Sequence, residues 1–564
     1  MLKQGRFVVA LVVLAIGAAP AVAQAAVEAL VNTGSPPSPF PQNKQNEPTV
    51  AIDPTNPSLL AAGSNDEIDE GPCVGGDCPF VQGVGNSGIY FSFNGGTSWT
   101  QPTYQGWSDR TGTPGVGPIG TLPHYYEAGL VSDGDPVTVF GPRPDSSGHF
   151  SWSNGSRLYY GNLTSNFATK RKDQTFKGFE AIAVSHADNL QAAATGDASA
   201  WSDPAIVTAR RQSATTFSDK EAIWADNAAS SKHFGTVYTC YTLFKSQQDT
   251  GPEQIAVSHS NDGGDTWSRP TTLSQAFDNP QHTGRQGCSI RTDSSGVVYA
   301  VWEDSHQKQA VFRMATSTNG GNSFGKPRTV ANVTDVGAFD GVRSISFDGI
   351  AGARTSSFPS LDIANGAPTG AGATNRLALG WSDGSAGLNH EHALVQLSAN
   401  GGTSWSNPVP VEESGDRPDF AFIGLSPNGQ DLYVVYDGFS DPFRNDTTST
   451  RRFVGVTRHA DVSGTTLGAV TTLDRGEVGD SRASSSNALI DGFIGDYNTV
   501  AATNAGAVSV FNDARDGADC PAIDAFRQAT VDGTAGAPPA PLTDCLPTFG
   551  NTDIWSAAVS DPSP

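Results

Sequence analysis

The chain has 564 residues and a formal net charge of -23, a balance that excludes nucleic acids and anionic membranes as partners because both need basic patches. Its 63 glycines and 36 prolines accompany few long helical patterns, as a turn-rich all-β chain requires. The chain opens with Lys3 and Arg6, an apolar run from Phe7 to Ala19, and small residues around Ala21 to Ala25. This predicts a secretory signal peptide over 1–25 and a single mature domain over 26–561. No later stretch approaches the ~20 apolar residues that span a bilayer, so the mature protein is expected to be soluble, secreted to the extracellular space or periplasm, and monomeric. In an exported chain the six cysteines are expected to form disulfides. Cys73 with Cys78, Cys520 with Cys545, and Cys240 with Cys288 is the pairing that nearness along the chain suggests, with other connectivities open.

Beyond the leader, a unit of four strand-like runs recurs. In its clearest copy, from Lys220 to Leu273, the runs are KEAIWAD, GTVYTCYTLF, QIAVSHS and TWSRPTTL. Other copies begin near Glu47, Asp135, Arg285, Phe358, Asp416 and Phe493, and the last is one strand short. Four antiparallel strands per repeat make one propeller blade. The count is seven blades, or six if the second copy is an insertion. The run VEALVN from Val27 to Asn32 is placed to supply the missing strand and close the ring, which removes exposed sheet edges. The Gly/Pro-rich stretches from Trp107 to Leu130 and from Asp516 to Pro547 read as long surface loops.

Between the third and fourth runs, one turn motif occurs four times: SFNGGTSW (Ser92, Asn94, Gly96, Trp99), SNDGGDTW (Ser260, Asp262, Gly264, Thr266, Trp267), STNGGNSF (Ser317, Asn319, Gly321, Phe324) and SANGGTSW (Ser398, Asn400, Gly402, Trp405). The Asp or Asn can accept from nearby amides, glycine supplies positive φ, and the aromatic packs beneath the turn. These residues resemble the Asp box, or BNR repeat, of the sialidase-like β-propellers. The resemblance implies that fold and a glycan-directed activity, most simply that of a glycoside hydrolase. One departure from the family is plain: no arginine occurs between Val27 and Trp99. The first member of the sialidase arginine triad therefore has no counterpart, and exo-sialidase activity loses its usual clamp for a sugar carboxylate.

The boxes mark one face of the ring. Ends of second strands and starts of first strands belong to the opposite face, where Asp66, Glu67, Asp304, Asp383, Asp437, Arg515, Glu47, Asp135, Glu221, Arg285, Arg417, Asp496 and Tyr497 collect. From this set Glu221, Asp496 and Tyr497 are the catalytic candidates, as acid, base and nucleophile types suited to a glycosidic bond. Arg285, Arg417, Arg515, Asp304, Asp383 and Asp437 are candidates for substrate binding, and Asp66 with Glu67 for an oxygen-only calcium site. Trp224, Trp302 and Trp381 are either sugar platforms or core. The competing reading is a non-catalytic scaffold that binds carbohydrate or protein, with calcium as its stabilising ion.

Overall fold

The computed structural model describes Met1 and residues 26–208, 213–245, 253–274, 286–306 and 309–563. Apart from Met1, the expected signal peptide lies outside the described residues, as does Arg285. Seven antiparallel sheets form the body. Their innermost strands are Gln45–Asp53, Val137–Pro144, Phe217–Ala225, Cys288–Thr292, Ser360–Ile363, Arg417–Leu425 and Thr499–Thr503. Each touches the innermost strand of the next sheet, and the seventh touches the first, so the sheets are blades of a closed seven-bladed propeller. The second repeat is a full blade, with Val137–Pro144 innermost and Phe150–Asn166, Ala181–Ala187 and Ala205–Ile206 outside it. In blade 7, Asp553–Ser560 pairs on its outer side with Val27–Leu30, so the two ends of the chain share one sheet.

Both faces of each blade are buried, which is why the middle strands read as continuous apolar runs rather than as alternation. All eight residues of Val237–Phe244 are buried. In blade 3, Ile223 and Ala225 pack with Val139, Tyr159 and Ile182 of blade 2. Ala222 and Trp224 turn the other way, toward Ile290, Ala300 and Trp302 of blade 4. The period-two alternation thus sorts side chains between two neighbouring blades. Cys240 and Cys288 join the same two blades covalently, and the Cys73–Cys78 and Cys520–Cys545 bridges also form.

The four motif turns share one hydrogen-bond pattern. In blade 3, Ser260 Oγ donates to Asp262 Oδ1 (2.7 Å) while accepting from Gly264 N (2.9 Å), and Thr266 N donates to Asp262 Oδ1 (3.0 Å). Asn takes the Asp place without loss: Ser98 N, Ser323 N and Ser404 N donate to Asn94, Asn319 and Asn400 at 2.9 to 3.0 Å. The paired glycines of these turns all have positive φ. Trp267 is buried, with its indole N–H on Gly264 O (3.1 Å).

The two stretches expected to be irregular contain regular structure. Tyr104–Ser108 pairs with Gly115–Ile119 as a hairpin. Pro521–Val531 is a helix, begun by proline at its first turn and held by the Cys520–Cys545 bridge. That helix buries Arg527, whose guanidinium donates to the carbonyls of Ser484 (2.8 Å) and Asp491 (2.9 Å). Its apolar stripe is too short to show as a period in the sequence; tertiary hydrogen bonds and the bridge make up the difference.

Candidate functional site

The starts of the inner strands share an uncommon backbone state. Glu47, Asp135, Lys220 and Phe420 have φ of 58°, 49°, 53° and 48°, and glycines 287 and 495 take the same region in blades 4 and 7. In blades 1, 3 and 6 this residue sits in a bulge of the inner strand. Left-handed backbone at a non-glycine residue is unfavourable by about 1 kcal/mol or more, and persists where surrounding contacts impose it. Here the contacts are polar, at the mouth of the central channel.

Asp496 is the hub. Lys220 Nζ donates to its Oδ2 at 2.5 Å, and Arg354 reaches both oxygens, Nε to Oδ1 at 2.8 Å and Nη2 to Oδ2 at 2.6 Å. Lys220 also lies 3.5 Å from Asp135, and Arg354 3.9 Å from Glu47. Asn65 ties the first two blades together, donating to Glu47 Oε2 (2.7 Å) and accepting from Asp135 N (2.7 Å). The chain of bonds continues from Glu47 N to Asn512 Oδ1 (3.0 Å), Asn512 Nδ2 to Asn498 Oδ1 (3.0 Å), and Asn498 Nδ2 to Asp437 Oδ1 (3.0 Å). A polar belt therefore runs from blade 6 through blades 7, 1 and 2 to blade 3.

Carboxyls at the mouth are shifted in opposite directions. Burial works to raise Asp496, but Arg354 and Lys220 outweigh it and hold that carboxyl below the ordinary range. Burial, reinforced by the Asp135 charge, pushes Glu47 and Glu221 well above it. Burial likewise raises Asp219, to about 7. Tyr497 is raised by burial and by Asp135, Glu47, Glu221 and Asp496, so it stands as a neutral phenol.

Below the mouth, the channel holds a cavity of about 540 Å³ walled by inner-strand residues of all seven blades. That volume suits a small ligand or one or two sugar rings. Lys220, Glu221 and Tyr497 line it. Both carboxylate oxygens of Glu221 and the Tyr497 hydroxyl are buried and without a hydrogen-bond partner, an arrangement that a bound polar ligand would satisfy. Trp224 also lines the cavity, with the Arg291 guanidinium 4.5 Å from its ring. Trp302 and Trp381 are fully buried core.

The other sequence candidates stand away from the cavity wall. Arg417 is buried in a bidentate pair with Glu391 (2.9 Å), and Arg515 pairs with Glu28 (2.9 Å) and Asp513 (2.7 Å) over the Trp555 ring. Asp304 pairs with Arg313 at 3.4 Å, and Asp383 accepts from the Trp381 indole at 3.1 Å. Asp66 accepts from Gln45 (2.8 Å), Gln101 (2.8 Å) and Tyr90 (2.7 Å), while Glu67 pairs with Lys44 (3.1 Å). Arg354, by contrast, was not legible as a site residue: it lies between blades 4 and 5, in a segment without counterpart in the other repeats. Lys220 and Asn65 carried a signal, the polar residues recurring at strand starts and second-strand ends, but nothing in the sequence singled them out.

No protein-family model matches the chain, and no curated protein matches its sequence. Solved structures do resemble it. The intramolecular trans-sialidase from Ruminococcus gnavus is similar at 11% identity over 72% of this chain and 93% of that one, with a TM-score of 0.38. For the α-L-arabinanase of Penicillium chrysogenum the values are 12%, 74%, 94% and 0.38. For the Hadza microbial sialidase Hz136 they are 12%, 66%, 62% and 0.36, so this chain spans less than two thirds of that enzyme. The chain is a seven-bladed β-propeller, and the solved structures it resembles include sialidases, an α-L-arabinanase and α-L-arabinofuranosidases.

Proposed function

We propose that this protein is an exported glycoside hydrolase that takes a neutral glycan into the mouth of the central channel. The observation that carries the reading is Glu221 on the cavity wall, both of its buried oxygens without a partner and its pKa raised by burial, next in sequence to Lys220, which Asp496 holds in place. A carboxyl with a raised pKa is suited to act as general acid for the leaving oxygen. In this reading Glu221 donates the proton and the Tyr497 hydroxyl orients the sugar, while Asp496, set back from the cavity wall, acts by holding Lys220 there. Lys220 and Arg354 are both already bonded to Asp496, which leaves neither free for the carboxylate of an acidic sugar and favours a neutral substrate. The three disulfides fit an oxidising compartment, and among the described residues no helix is long and apolar enough to cross a membrane.

The test is hydrolysis of a panel of aryl glycosides, with an aryl sialoside included, by the purified chain with and without calcium. Turnover of a neutral glycoside is expected, falling by about 10² to 10⁴ in kcat for Glu221→Gln. Because Glu221 must carry its proton and burial raises its pKa, activity should persist into the neutral range and decline as pH rises through that raised value. Tyr497→Phe should lower kcat/KM with the fold intact. No turnover, together with glycan binding that Glu221→Gln abolishes, would replace the enzyme by a carbohydrate-binding scaffold; neither turnover nor binding would remove the channel mouth as a glycan site.

A further inference from the structure

On the opposite face of the ring, a second cluster has no place in the chemistry of the channel. Asp431 begins the second strand of blade 6, Asp431–Phe439, whose far end carries Asp437 of the polar belt. Six residues of strand put the two about 20 Å apart. His459 lies on the adjacent strand, Arg452–Ser463, and Asp561 follows the blade 7 strand Asp553–Ser560. His459 Nε2 is 3.3 Å from Asp431 Oδ1 and 3.9 Å from Asp561 Oδ1, and the three donor atoms all lie within 4.8 Å of one another. Donors bound about 2.1 Å from one ion at tetrahedral angles stand about 3.4 Å apart, so the spacing is nearly that of a ligand set.

Two further observations point to a cation. Asp461 stands directly across from Asp431 in the strand pairing and 3.9 Å from His459 Nε2. Among the described residues, no lysine or arginine lies within 4.0 Å of Asp431, Asp461 or Asp561. Like charges paired across strands repel, and one imidazolium would answer only one of three carboxylates. The second observation is Tyr433, which pairs with His459 across the strands, with ring centroids 5.1 Å apart. Its side chain is fully buried and its hydroxyl has no hydrogen-bond partner. An unpartnered hydroxyl buried on the residue that packs against His459 is an atom that a metal-bound water would satisfy.

We propose that Asp431, His459 and Asp561 bind a divalent transition-metal ion, zinc or manganese, with Asp461 or water completing its shell. The imidazole selects such an ion over calcium, which prefers oxygen-only sites. Bound there, the ion clasps the C-terminal end of blade 7 to blade 6, beside the sheet that both ends of the chain share. Asp561 is already steered by the bond from its own N to Ala505 O (3.0 Å), and Ser563 Oγ donates to Asp461 (2.6 Å).

The experiment uses the untagged chain, stripped with EDTA and then freed of it, titrated with Zn²⁺, Mn²⁺ and Ca²⁺ by calorimetry and thermal melting. One saturable site for zinc or manganese is expected. At a hundred times Kd it should raise Tm by about 2 °C, the shift that linkage allows in a chain of this size. His459→Gln and Asp561→Asn should each weaken binding at least tenfold. The metal-free unfolding midpoint and circular dichroism spectrum of each variant are measured alongside, so that weakened binding in a chain that still folds is read apart from a folding failure. Absence of saturable zinc or manganese binding would overturn the proposal. Preference for calcium, or binding that both substitutions leave unchanged, would do the same.

Discussion

Lys220 shows how one side chain can be both structural and functional. Its ammonium is buried beside Asp496, Asp135 and the Phe358 ring, and burial alone would favour the neutral amine; the surrounding carboxylates outweigh that and keep it charged. Removing one partner of a buried pair leaves the other uncompensated. Lys220→Met should therefore cost about 3 kcal/mol in denaturant unfolding, at the low end for buried pairs because Arg354 still holds Asp496. Adding Asp496→Asn should restore part of that loss. A single-mutant loss near zero, or a double mutant that simply adds the two, would show that the pair is not coupled. The left-handed backbone at Glu47, Asp135 and Lys220 belongs to the same argument, since the network that gathers these side chains also imposes that conformation.

At the scale of the element, the turn between the third and fourth strands explains the recurrence of the motif. Ser, Asp or Asn, and glycine close the turn through their own hydrogen bonds, and the aromatic seals the gap between blades. Trp267 packs with Tyr159, Tyr241 and Ala256. Trp267→Ala should destabilise the protein by about 3 to 5 kcal/mol, read from a shifted unfolding midpoint. An unchanged midpoint would show that the ring does not pack as described. Strands and turns of this kind were legible because short strand-like runs and glycine punctuation are local. The helix Pro521–Val531 was not, because its support comes from a disulfide and from carbonyls some 40 residues upstream in the chain.

Across the whole molecule, the acidic balance has a consequence for stability. Many carboxyls are buried, and burial raises them: Asp133, Asp513 and Asp553 to about 6, Asp69, Asp219 and Asp226 to about 7, and Glu70 to about 9. A raised folded-state pKa means that the native chain holds protons the unfolded chain has released. Stability is then lost as pH climbs from the unfolded values toward the folded ones. Asp496 runs the other way, since its depressed pKa contributes stability that is lost only as pH falls into strong acid. The raised groups outnumber it, so the unfolding free energy should fall between pH 5 and pH 8, by on the order of 1.4 kcal/mol per pH unit for each extra proton held, and Tm with it. A Tm at pH 8 equal to or above that at pH 5 would contradict this account.

The sequence by itself determined the blade, because a four-stranded antiparallel unit with its turn is specified by residues within reach of one another, and repetition multiplied that signal until the ring followed. It also placed Glu221, Asp496 and Tyr497 at strand starts on the face opposite the boxes. Which acids would lie together, and in which protonation state, was decided by the tertiary structure. Lys220, Asp496 and Arg354 come from three separate parts of the chain, and their meeting depends on ring closure. The same holds for Arg417 and Arg515, whose charges are taken up by Glu391, Glu28 and Asp513 from distant segments or the same loop. Charge pairing acts through space at a few ångströms, and local sequence carries no record of it.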